Sequence, residues 1–405
     1  MAGAVIDSII NEKSVQFDKK KKNTAIILAA GHGKRIKSNN SKMLHKIWGK
    51  PTALRVSEAA SKTFNDDCNI IVVVGVKADS VIDCFEGKLP VSFAHQAEQN
   101  GTGHAVQMGL KNITDDSYDG NVYVLAGDMG LIDSETILDF KSSFENSDND
   151  MMVLTGIYSG DPMENAYGRI IRVPEEDCNG NSTAREKGNV IGILEYKDIL
   201  KLDENEDYIA DYGTKKYSFS RSNLIANNEF NSGVFVFKYQ YLKKLIALIK
   251  DNNVQKEVYL TDLISLFNKE GLKVGAVSPK EDYVIMGFNN KSVLYEMNNI
   301  ARKLIYNKLK DIITIEDPDD FFISDELVND FLSRDSEGEI LDITLGRGSQ
   351  IGSGVKLGSN IHIGKDVEIE GEVAIGDNVV IGNFSVIKGK KVIADGTEIP
   401  PFSVV

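Results

Sequence analysis

Residues 24–46 combine a glycine-rich turn with a cluster of basic side chains. An apolar run over residues 25–30 predicts a buried strand, which ends at Gly31 and Gly33. Glycines at such a turn let backbone N–H groups approach phosphate oxygens, because no Cβ blocks the approach. The spacing matches neither GxGxxG nor the P-loop, and a turn with a solvated basic face would give the same pattern. The side chains that could supply positive charge for a polyphosphate are Lys34, Arg35, Lys37, Lys42 and Lys46.

A second polar segment, QAEQNGTGHA, directly follows another apolar run that predicts a strand. Its first residue, Gln96, carries both an amide donor and an acceptor and could therefore pair with the edge of a nucleotide base. Gly101 and Thr102 open the next predicted helix and could pass close to that base, although Thr102 could instead be a helix cap. A single histidine at a helix start is more often structural, so we assign no role to His104.

Asp128 follows the apolar run NVYVLA and a glycine. Mg²⁺ prefers hard carboxylate oxygens together with substrate phosphates and water, so Asp128 is a candidate ligand. The alternative is that Asp128 caps the helix predicted to begin near residue 134. Ser134 can serve as that cap, which would leave the Asp128 carboxylate free.

Elements that alternate along the chain must position these residues. Near-continuous apolar strands separated by helices predict a parallel, doubly wound α/β sheet, in which ligands bind at the carboxyl ends of the strands. The predicted strands are 25–30, 69–75, 91–95 and 121–126, and the predicted helices are 53–63, 77–86 and 102–112.

The string LAAG-x-G-x-R, followed by K-x-L-H-K and G-K-P, resembles the opening of the sugar-phosphate nucleotidyltransferases. The nearest match is the uridylyltransferase half of the bacterial N-acetylglucosamine-1-phosphate uridylyltransferases. Further matching strings are QAEQ-x-GTGHA, Y-G-R-I, I-x-E-x-K-D, N-S-G, Y-x-T-D and a G-x-N-N at 287–290. The chain departs from the family pattern at Ser41 and Gly130, where the family usually has proline. We expect a looser phosphate loop and a softer turn there.

The resemblance implies a role for each matched position. It implies that Arg35 and Lys42 hold the phosphates as catalytic residues, and that Asp128 and Asn289 ligate Mg²⁺. The positions implied to bind the nucleotide are Leu28, Ala29, Ala30, Gly31, Gly33, Gln96, Gly101, Thr102 and Gly127. The positions implied to surround the sugar are Gly168, Glu195, Asn231 and Thr261.

The pattern changes from residue 151 onward, where strand-like segments are separated by polar loops. Residues 174–188 and 198–229 are longer than the matching stretches of the family and are rich in charged residues, Asn and Asp. We expect flexible insertions near the sugar side. A helical pattern with one buried face follows at 290–311.

From residue 345 an apolar residue recurs every six positions, usually followed by glycine, which is the signature of a hexapeptide-repeat β-helix. By resemblance to left-handed β-helices, three hexads form one coil. The family that the chain resembles is bifunctional and continues into an acetyltransferase with a longer β-helix. The repeat of this chain holds only His362 as a candidate residue for acetyl transfer, so we expect the acetyltransferase activity to be absent. The flat faces of a three-sided coil further predict a homotrimer. The recurring residues are Leu345, Ile351, Leu357, Ile363, Ile369, Ile375, Ile381, Ile387, Ile393, Ile399 and Val405.

Composition limits the function classes. The net charge of −14 argues against a nucleic-acid-binding surface. Three scattered cysteines without a CxxC pair argue against zinc and a disulfide framework. The sequence has no apolar stretch of membrane-spanning length and no secretory leader pattern, so we expect no membrane partner and a cytoplasmic location. Ile6, Ile9 and Ile10 could form a short amphipathic helix.

The sequence thus predicts an N-terminal extension at 1–22, a Rossmann-like nucleotidyltransferase domain at 23–289, a helical linker at 290–342 and a short left-handed parallel β-helix at 343–405. The resemblance implies a uridylyltransferase that converts UTP and N-acetylglucosamine 1-phosphate to UDP-N-acetylglucosamine and pyrophosphate. Two alternatives remain open. One is a nucleotidyltransferase for another sugar 1-phosphate or nucleotide, and the other is a non-catalytic subunit that binds a nucleotide sugar.

Overall fold

A computed structural model describes residues 2–31, 33–183 and 186–405. The chain forms two compact units. The first comprises Met1–His45 and Pro51–Asn290, and the second comprises Lys46–Lys50 and Lys291–Val405. Within the described ranges, no helix is both long enough and apolar enough to cross a membrane.

The helices and strands are numbered in chain order. The α-helices are α1 (Ala2–Lys13), α2 (Thr52–Phe64), α3 (Ala78–Asp83), α4 (Thr102–Leu110), α5 (Ser134–Glu145), α6 (Tyr196–Ile199), α7 (Arg221–Ala226), α8 (Tyr239–Leu245), α9 (Leu263–Lys269), α10 (Lys291–Leu309) and α11 (Asp325–Ser336). The strands of the first unit and of the adjoining ribbon are β1 (Asn23–Ala29), β2 (Lys46–Ile47), β3 (Lys50–Pro51), β4 (Cys68–Val74), β5 (Ser92–His95), β6 (Asn121–Ala126), β7 (Met151–Ile157), β8 (Arg169–Arg172), β9 (Val190–Leu194), β10 (Tyr208–Tyr212), β11 (Lys215–Phe219), β12 (Glu229–Lys238) and β13 (Val274–Val277). The remaining strands are β14 (Thr314–Ile315), β15 (Phe322–Ile323), β16 (Ile343–Leu345), β17 (Gln350–Ile351), β18 (Lys356–Leu357), β19 (Ile361–Ile363), β20 (Glu368–Ile375), β21 (Val380–Ile381), β22 (Val386–Ile393) and β23 (Glu398–Ile399).

The first unit is built on a sheet in the order β13-β7-β12-β6-β1-β4-β5. Strands β6, β1, β4 and β5 run parallel, as the apolar runs predict, so their carboxyl ends meet at one edge. The sheet is nevertheless mixed, because β12 runs antiparallel to both β6 and β7. β12 returns after the β8–β9 meander, so no crossover helix forces it to be parallel.

The two faces of the sheet bury separate apolar clusters, which makes the fold doubly wound. Along β1, Ala25 and Ile27 belong to one cluster and Ile26 to the other, and all three have no exposed surface. This alternation follows the period of two of a strand whose faces are both covered. Helices α2 and α5 lie on the first face, while α4, α8 and α9 lie on the second.

The N-terminal helix α1 lies at the sheet edge formed by β5. Ile6, Ile9 and Ile10 pack against the first apolar cluster, in agreement with the predicted amphipathic helix. After α1 the chain runs beside the edge strand, where the backbone N–H of Val15 donates to the Val91 carbonyl at 3.1 Å.

The insertion at 198–229 is folded, which corrects the expectation of a flexible segment. Strands β10 and β11 form an antiparallel hairpin with Tyr208 opposite Phe219, and helix α7 follows it. The hairpin and α7 pack against β8 and β9 in a small apolar cluster, in which Tyr217 is fully buried. We did not predict these strands because each has only five residues, too few for a clear period, and because their apolar cluster depends on contacts with β8 and β9.

The second unit contains a left-handed parallel β-helix with the predicted 18-residue coil. Leu345 pairs with Ile363, and Ile363 pairs with Ile381, so inward residues stack one coil above another. All the recurring residues from Leu345 to Ile399 are buried, whereas Val405 is 36% exposed and does not continue the column.

Two strands join the β-helix before the hexad repeat begins. β14 pairs with β16 and β15 pairs with β17, both in parallel register. The segment predicted as a helical linker therefore contains α10 and α11 together with two strands of the coil. These strands escaped prediction because two residues are too short to show a period.

Candidate functional site

The carboxyl ends of the parallel strands in the first unit open into a cleft of about 920 Å³. Loops after β1, β4, β5 and β6 form its walls, as expected for ligand sites of doubly wound sheets. The predicted site residues that line the cleft are Leu28, Ala30, Gly31, Gly33, Arg35, Lys42, Gln96, Gly101, Thr102, Asp128 and Asn289.

The loop after β1, which we predict to bind phosphates, folds back on itself at Gly33, whose φ is 58°. A Cβ at Gly33 would lie 2.7 Å from the Cβ of Lys42, so only glycine lets the two chain segments approach this closely. Ser41 is buried, and its hydroxyl accepts from the Met43 N–H at 3.4 Å. This local cap restrains the turn at Lys42, which the expectation of a looser loop did not include. His32 and the side chain of Lys34 lie outside the described part of the chain.

Lys42 lies at the centre of the cleft wall. Its Nζ donates to Oδ2 of Asp128 at 2.5 Å and to Oδ1 of Asn289 at 3.0 Å. The side chain is 9% exposed, and Nζ stands 5.3 Å from the centre of the Phe288 ring. Three positions that are far apart in sequence therefore meet at one point.

The Asp128 carboxylate is free of helix capping, but not for the reason predicted. Asp133, rather than Ser134, caps α5, because its carboxylate accepts from the Thr136 N–H at 2.8 Å. Sequence reasoning placed the cap one residue too late because Ser134 is itself a good capping residue. The turn after Asp128 is held by Arg55, whose Nε donates to the Gly130 carbonyl at 2.9 Å.

Asp128 and Asn289 supply two hard oxygen ligands, and this donor set fits Mg²⁺. Mg²⁺ commonly takes one or two protein oxygens and completes its octahedron with substrate phosphates and water. The described residues contain no cluster of three or more His, Cys, Asp or Glu that could form an all-protein cage. The side-chain oxygens of Asp128 and Asn289 would hold such an ion.

Gln96, which the resemblance implies to contact the base, lines the cleft and is only 3% exposed. Its Nε2 donates to the Gly101 carbonyl at 3.0 Å and lies 3.2 Å from Nδ1 of His104. Thr102 does not cap α4 with its side chain, since its hydroxyl accepts from the Leu260 N–H at 3.2 Å. Gly101 approaches Val258 so closely that a Cβ would lie 2.6 Å from the Val258 carbonyl oxygen.

The residues predicted to surround the sugar gather beside the cleft rather than in its lining. The Asn231 N–H donates to the Gly168 carbonyl at 2.9 Å. A Cβ at Gly168 would lie 3.0 Å from Oε1 of Glu195, so glycine keeps room for that carboxyl. The Asn231 side chain accepts from the Gly233 N–H at 2.9 Å.

Burial changes the acidity of this side of the site. It raises the pKa of Glu195 to about 7, and the neighbouring carboxylates of Asp198, Asp262 and Glu257 add to the shift. Burial also raises the pKa of Asp262 to about 6. The hydroxyl of Thr261 is buried and has no hydrogen-bond partner within the described ranges. A ligand that offers hydroxyl or amide groups would satisfy it.

Two predicted positions support the cleft without lining it. Ala29 has no exposed surface and packs in the first apolar cluster. Gly127 donates its N–H to the Leu28 carbonyl at 3.0 Å, and a Cβ there would lie 2.8 Å from the Leu28 carbonyl oxygen. It thus lets the ends of β1 and β6 approach.

Sequence reasoning missed several residues around the cleft. Gln255 and Glu257 line it, but they lie in a polar loop that offers no motif of its own. Tyr167 stacks on Phe230 with ring centres 4.7 Å apart, and burial followed by the Asp128 charge raises the pKa of its hydroxyl. Tyr167 is part of the Y-G-R-I string, so that string was the available signal.

Comparison with known families defines the class. Residues 25–186 match the MobA-like NTP transferase domain, and residues 354–389 match the bacterial transferase hexapeptide repeat. The chain therefore carries a nucleotidyltransferase domain followed by a hexapeptide β-helix.

Matches to individual proteins give more detail than the two domain families. The chain is 35% identical over 275 residues to the bifunctional protein GlmU of Caldicellulosiruptor saccharolyticus, a match that covers 68% of this chain and 51% of that protein. It is also 35% identical over 304 residues to the bifunctional protein GlmU of Thermoanaerobacter pseudethanolicus, and this match covers 75% of this chain and 57% of that protein. These matches confirm the resemblance expected from the motifs, and the chain spans a little over half the length of these curated relatives. A crystal structure of a UDP-glucose pyrophosphorylase complexed with UDP-glucose is similar over 70% of this chain and 99% of that chain, with 15% identity and a TM-score of 0.49.

Proposed function

We propose that the protein is a uridylyltransferase that converts UTP and N-acetylglucosamine 1-phosphate to UDP-N-acetylglucosamine and pyrophosphate. The observation that carries the proposal is the meeting of Lys42, Asp128 and Asn289 at the mouth of a glycine-rich phosphate loop. An ammonium and backbone N–H groups can bind phosphate oxygens, and two side-chain oxygens can ligate the accompanying metal ion, so this arrangement suits a nucleoside triphosphate. The similarity to the bifunctional protein GlmU supports this choice of sugar and nucleotide.

In this reaction an oxygen of the sugar phosphate attacks the α-phosphorus of UTP. A new P–O bond forms, the bond to the β-phosphate oxygen breaks, and pyrophosphate leaves with the electron pair. Positioning and charge neutralisation account for most of the acceleration of such transfers, so no covalent nucleophile is needed. Arg35 and Lys42 neutralise charge on the transferring and leaving phosphates. When bound, Mg²⁺ supplies Lewis-acid stabilisation of the phosphate oxygens.

The remaining groups select the two substrates. Gln96 and the backbone at Gly101 meet the uracil edge, which carries both donors and acceptors. Glu195, Asn231 and the unpartnered hydroxyl of Thr261 meet the sugar hydroxyls and the acetamido group. Tyr167, between these two sides, positions the loop that carries Asn289, since its hydroxyl lies 3.4 Å from the Gly287 carbonyl.

The direct test uses the purified protein with Mg²⁺ and a matrix of nucleoside triphosphates and sugar 1-phosphates, with pyrophosphate release as the readout. We expect the highest kcat/KM for UTP with N-acetylglucosamine 1-phosphate. A higher value for another pair would replace the substrates but keep the class. Binding of UDP-sugar without pyrophosphate release from any pair would favour a non-catalytic subunit.

We also propose that the protein is a homotrimer through the β-helix. Lys388 pairs with Glu368 at 2.9 Å, and Lys390 pairs with Glu372 at 3.0 Å on the preceding coil. A run of lysines, here Lys388, Lys390 and Lys391, can guard an edge against association, and these two ion pairs reduce the unpaired positive charge on the coil face. Sedimentation at micromolar concentration is expected to give three times the chain mass of 44.6 kDa, and a monomer would contradict the proposal.

A further inference from the structure

Lys42 and the proposed metal ion use side-chain oxygens of the same two residues, Asp128 and Asn289. Nζ of Lys42 donates to Oδ2 of Asp128 at 2.5 Å and to Oδ1 of Asn289 at 3.0 Å. The proposed function assigns those side-chain oxygens to Mg²⁺. The proposed function also assigns the Lys42 ammonium to the nucleotide phosphates. Lys42 therefore has two possible partners within one cleft, the Asp128 carboxylate and the phosphates.

A divalent cation held by Asp128 and Asn289 would repel Lys42 from its present position. Mg²⁺ holds its ligands at about 2.0–2.1 Å in a near-octahedral shell. An ammonium within hydrogen-bond reach of the same oxygens would lie only a few ångströms from the ion, where like charges repel strongly in a partly buried site. Binding of the metal ion to Asp128 and Asn289 therefore favours a conformation in which Lys42 has moved away from Asp128.

The structure also limits where Lys42 can go. The close approach to Gly33 and the Ser41 cap restrain its backbone, so a change in the side-chain conformation is the smallest rearrangement that moves Nζ. Gly31 and Arg35 line the same cleft and mark the region where phosphates would bind. A rotation of the flexible lysine stem towards that region exchanges a carboxylate partner for a phosphate partner.

We propose that Lys42 is an exchangeable internal cation. In the ligand-free protein it neutralises Asp128, and it passes to the nucleotide phosphates when a divalent cation takes Asp128 and Asn289. The inference rests on the proposed nucleotidyltransferase site. It implies that a free metal ion has to compete with Lys42, whereas metal and nucleotide together do not. Lys42 thus creates positive coupling between the two ligands, which is necessarily reciprocal.

The test measures Mn²⁺ binding, since Mn²⁺ is a paramagnetic substitute whose free concentration can be followed by electron paramagnetic resonance. The test variant is Lys42→Met, which keeps the stem and removes the charge. The matched control is Lys37→Met, because Lys37 is an exposed lysine of the same loop. Asp128→Asn, made in the wild type and in Lys42→Met, shows whether the Mn²⁺ that is measured binds at Asp128. We expect Lys42→Met to bind Mn²⁺ without nucleotide roughly 10-fold more tightly than the wild type, within the usual range of coupling between sites.

The second measurement is the gain in UTP affinity when Mn²⁺ is added, by titration calorimetry. We expect the gain to be larger in the wild type than in Lys42→Met, because only the wild type has a lysine to relocate. Free Mn²⁺ affinity that is unchanged or weaker in Lys42→Met, or tightened equally in Lys37→Met, would overturn the exchange. If Asp128→Asn leaves Mn²⁺ binding intact, the metal site itself is wrongly assigned, which separates that failure from a failure of the exchange. Lys42→Gln provides the same comparison if Lys42→Met does not fold, as judged by its thermal unfolding.

Discussion

The side-chain nitrogen of Gln96 lies 3.0 Å from the carbonyl oxygen of Gly101, five residues further along the chain. This contact fixes which end of the amide faces the carbonyl, because two oxygens would repel each other. The other end, Oε1, is left as the acceptor for a ligand. An acceptor suits the N3–H of uracil and does not suit the N3 of cytosine, which itself accepts.

The first prediction is therefore a preference for UTP over CTP that depends on Gln96. Gln96→Glu places a carboxylate oxygen against the Gly101 carbonyl, so the side chain must turn away. We expect kcat/KM for UTP to fall roughly 10- to 100-fold, the usual cost of an unsatisfied buried polar group. Gln99→Glu is the control, since Gln99 lines the same cleft. A wild-type ratio of UTP to CTP activity in Gln96→Glu would exclude Gln96 as the base reader.

The second prediction separates the two aspartates that follow β6. Asp128→Asn should keep the fold and lose on the order of 100- to 1,000-fold in turnover, because one preorganised charge contact is removed. Asp133→Asn should retain turnover, since Asn is as good a helix cap as Asp. Pyrophosphate release at saturating substrates measures both variants. Equal turnover in the two would show that Asp128 has no special part in the reaction.

The third prediction concerns Gly101, in the loop after β5, and its close approach to Val258. Gly101→Ala meets the Val258 carbonyl oxygen at 2.6 Å and must also hold a φ of 100°, so it should displace the loop that orients Gln96. Gly213→Ala is the control, because Gly213 has a φ of 59° with nothing within 4 Å. We expect the affinity for UTP to fall only in Gly101→Ala, while Gly213→Ala loses roughly 1 kcal/mol of stability from its backbone strain. Calorimetric titration with UTP and thermal unfolding give the two readouts.

The fourth prediction is a pH dependence of stability due to Glu195. Its pKa is raised from 4.5 to about 7 by burial, so above pH 4.5 the unfolded chain loses a proton that the folded chain keeps. The free energy of unfolding should therefore fall as the pH rises from about 4.5 to 7, by roughly 2–4 kcal/mol. Glu195→Gln cannot ionise and should lose less stability across that window. Denaturant unfolding at several pH values measures the difference, and parallel curves for the two proteins would contradict the shift.

Much of the fold was predictable because its signals are local. The strands β1, β4, β5 and β6 appear in the sequence as apolar runs, and the period of six sets the register of the β-helix. The antiparallel direction of β12 was not predictable, since it depends on where the chain returns after an insertion. The hairpin formed by β10 and β11 was missed because its apolar cluster depends on contacts with β8 and β9.

The sequence predicted many of the residues that line the cleft, but not the contacts between them. Motif strings identified Lys42, Asp128 and Asn289, which are separated by 86 and 161 residues along the sequence. That the lysine contacts both of the other two is a property of side-chain conformations in the assembled cleft. Likewise, the hydrogen bond from Gln96 to the Gly101 carbonyl depends on the backbone conformation at Gly101, which the residue types do not predict.

The segment after α1 closes the open edge of the sheet. The hydroxyl of Ser14 accepts from the Phe93 N–H at 2.9 Å, and the Val15 N–H donates to the Val91 carbonyl. The Phe93 N–H of β5 and the Val91 carbonyl just before β5 are thus occupied by the same chain. An unpaired strand edge is a template for pairing with other molecules, so this covering protects against aggregation. When α1 is loosened, the first consequence should be concentration-dependent self-association through β5, before Lys42, Asp128 and Asn289 are disturbed.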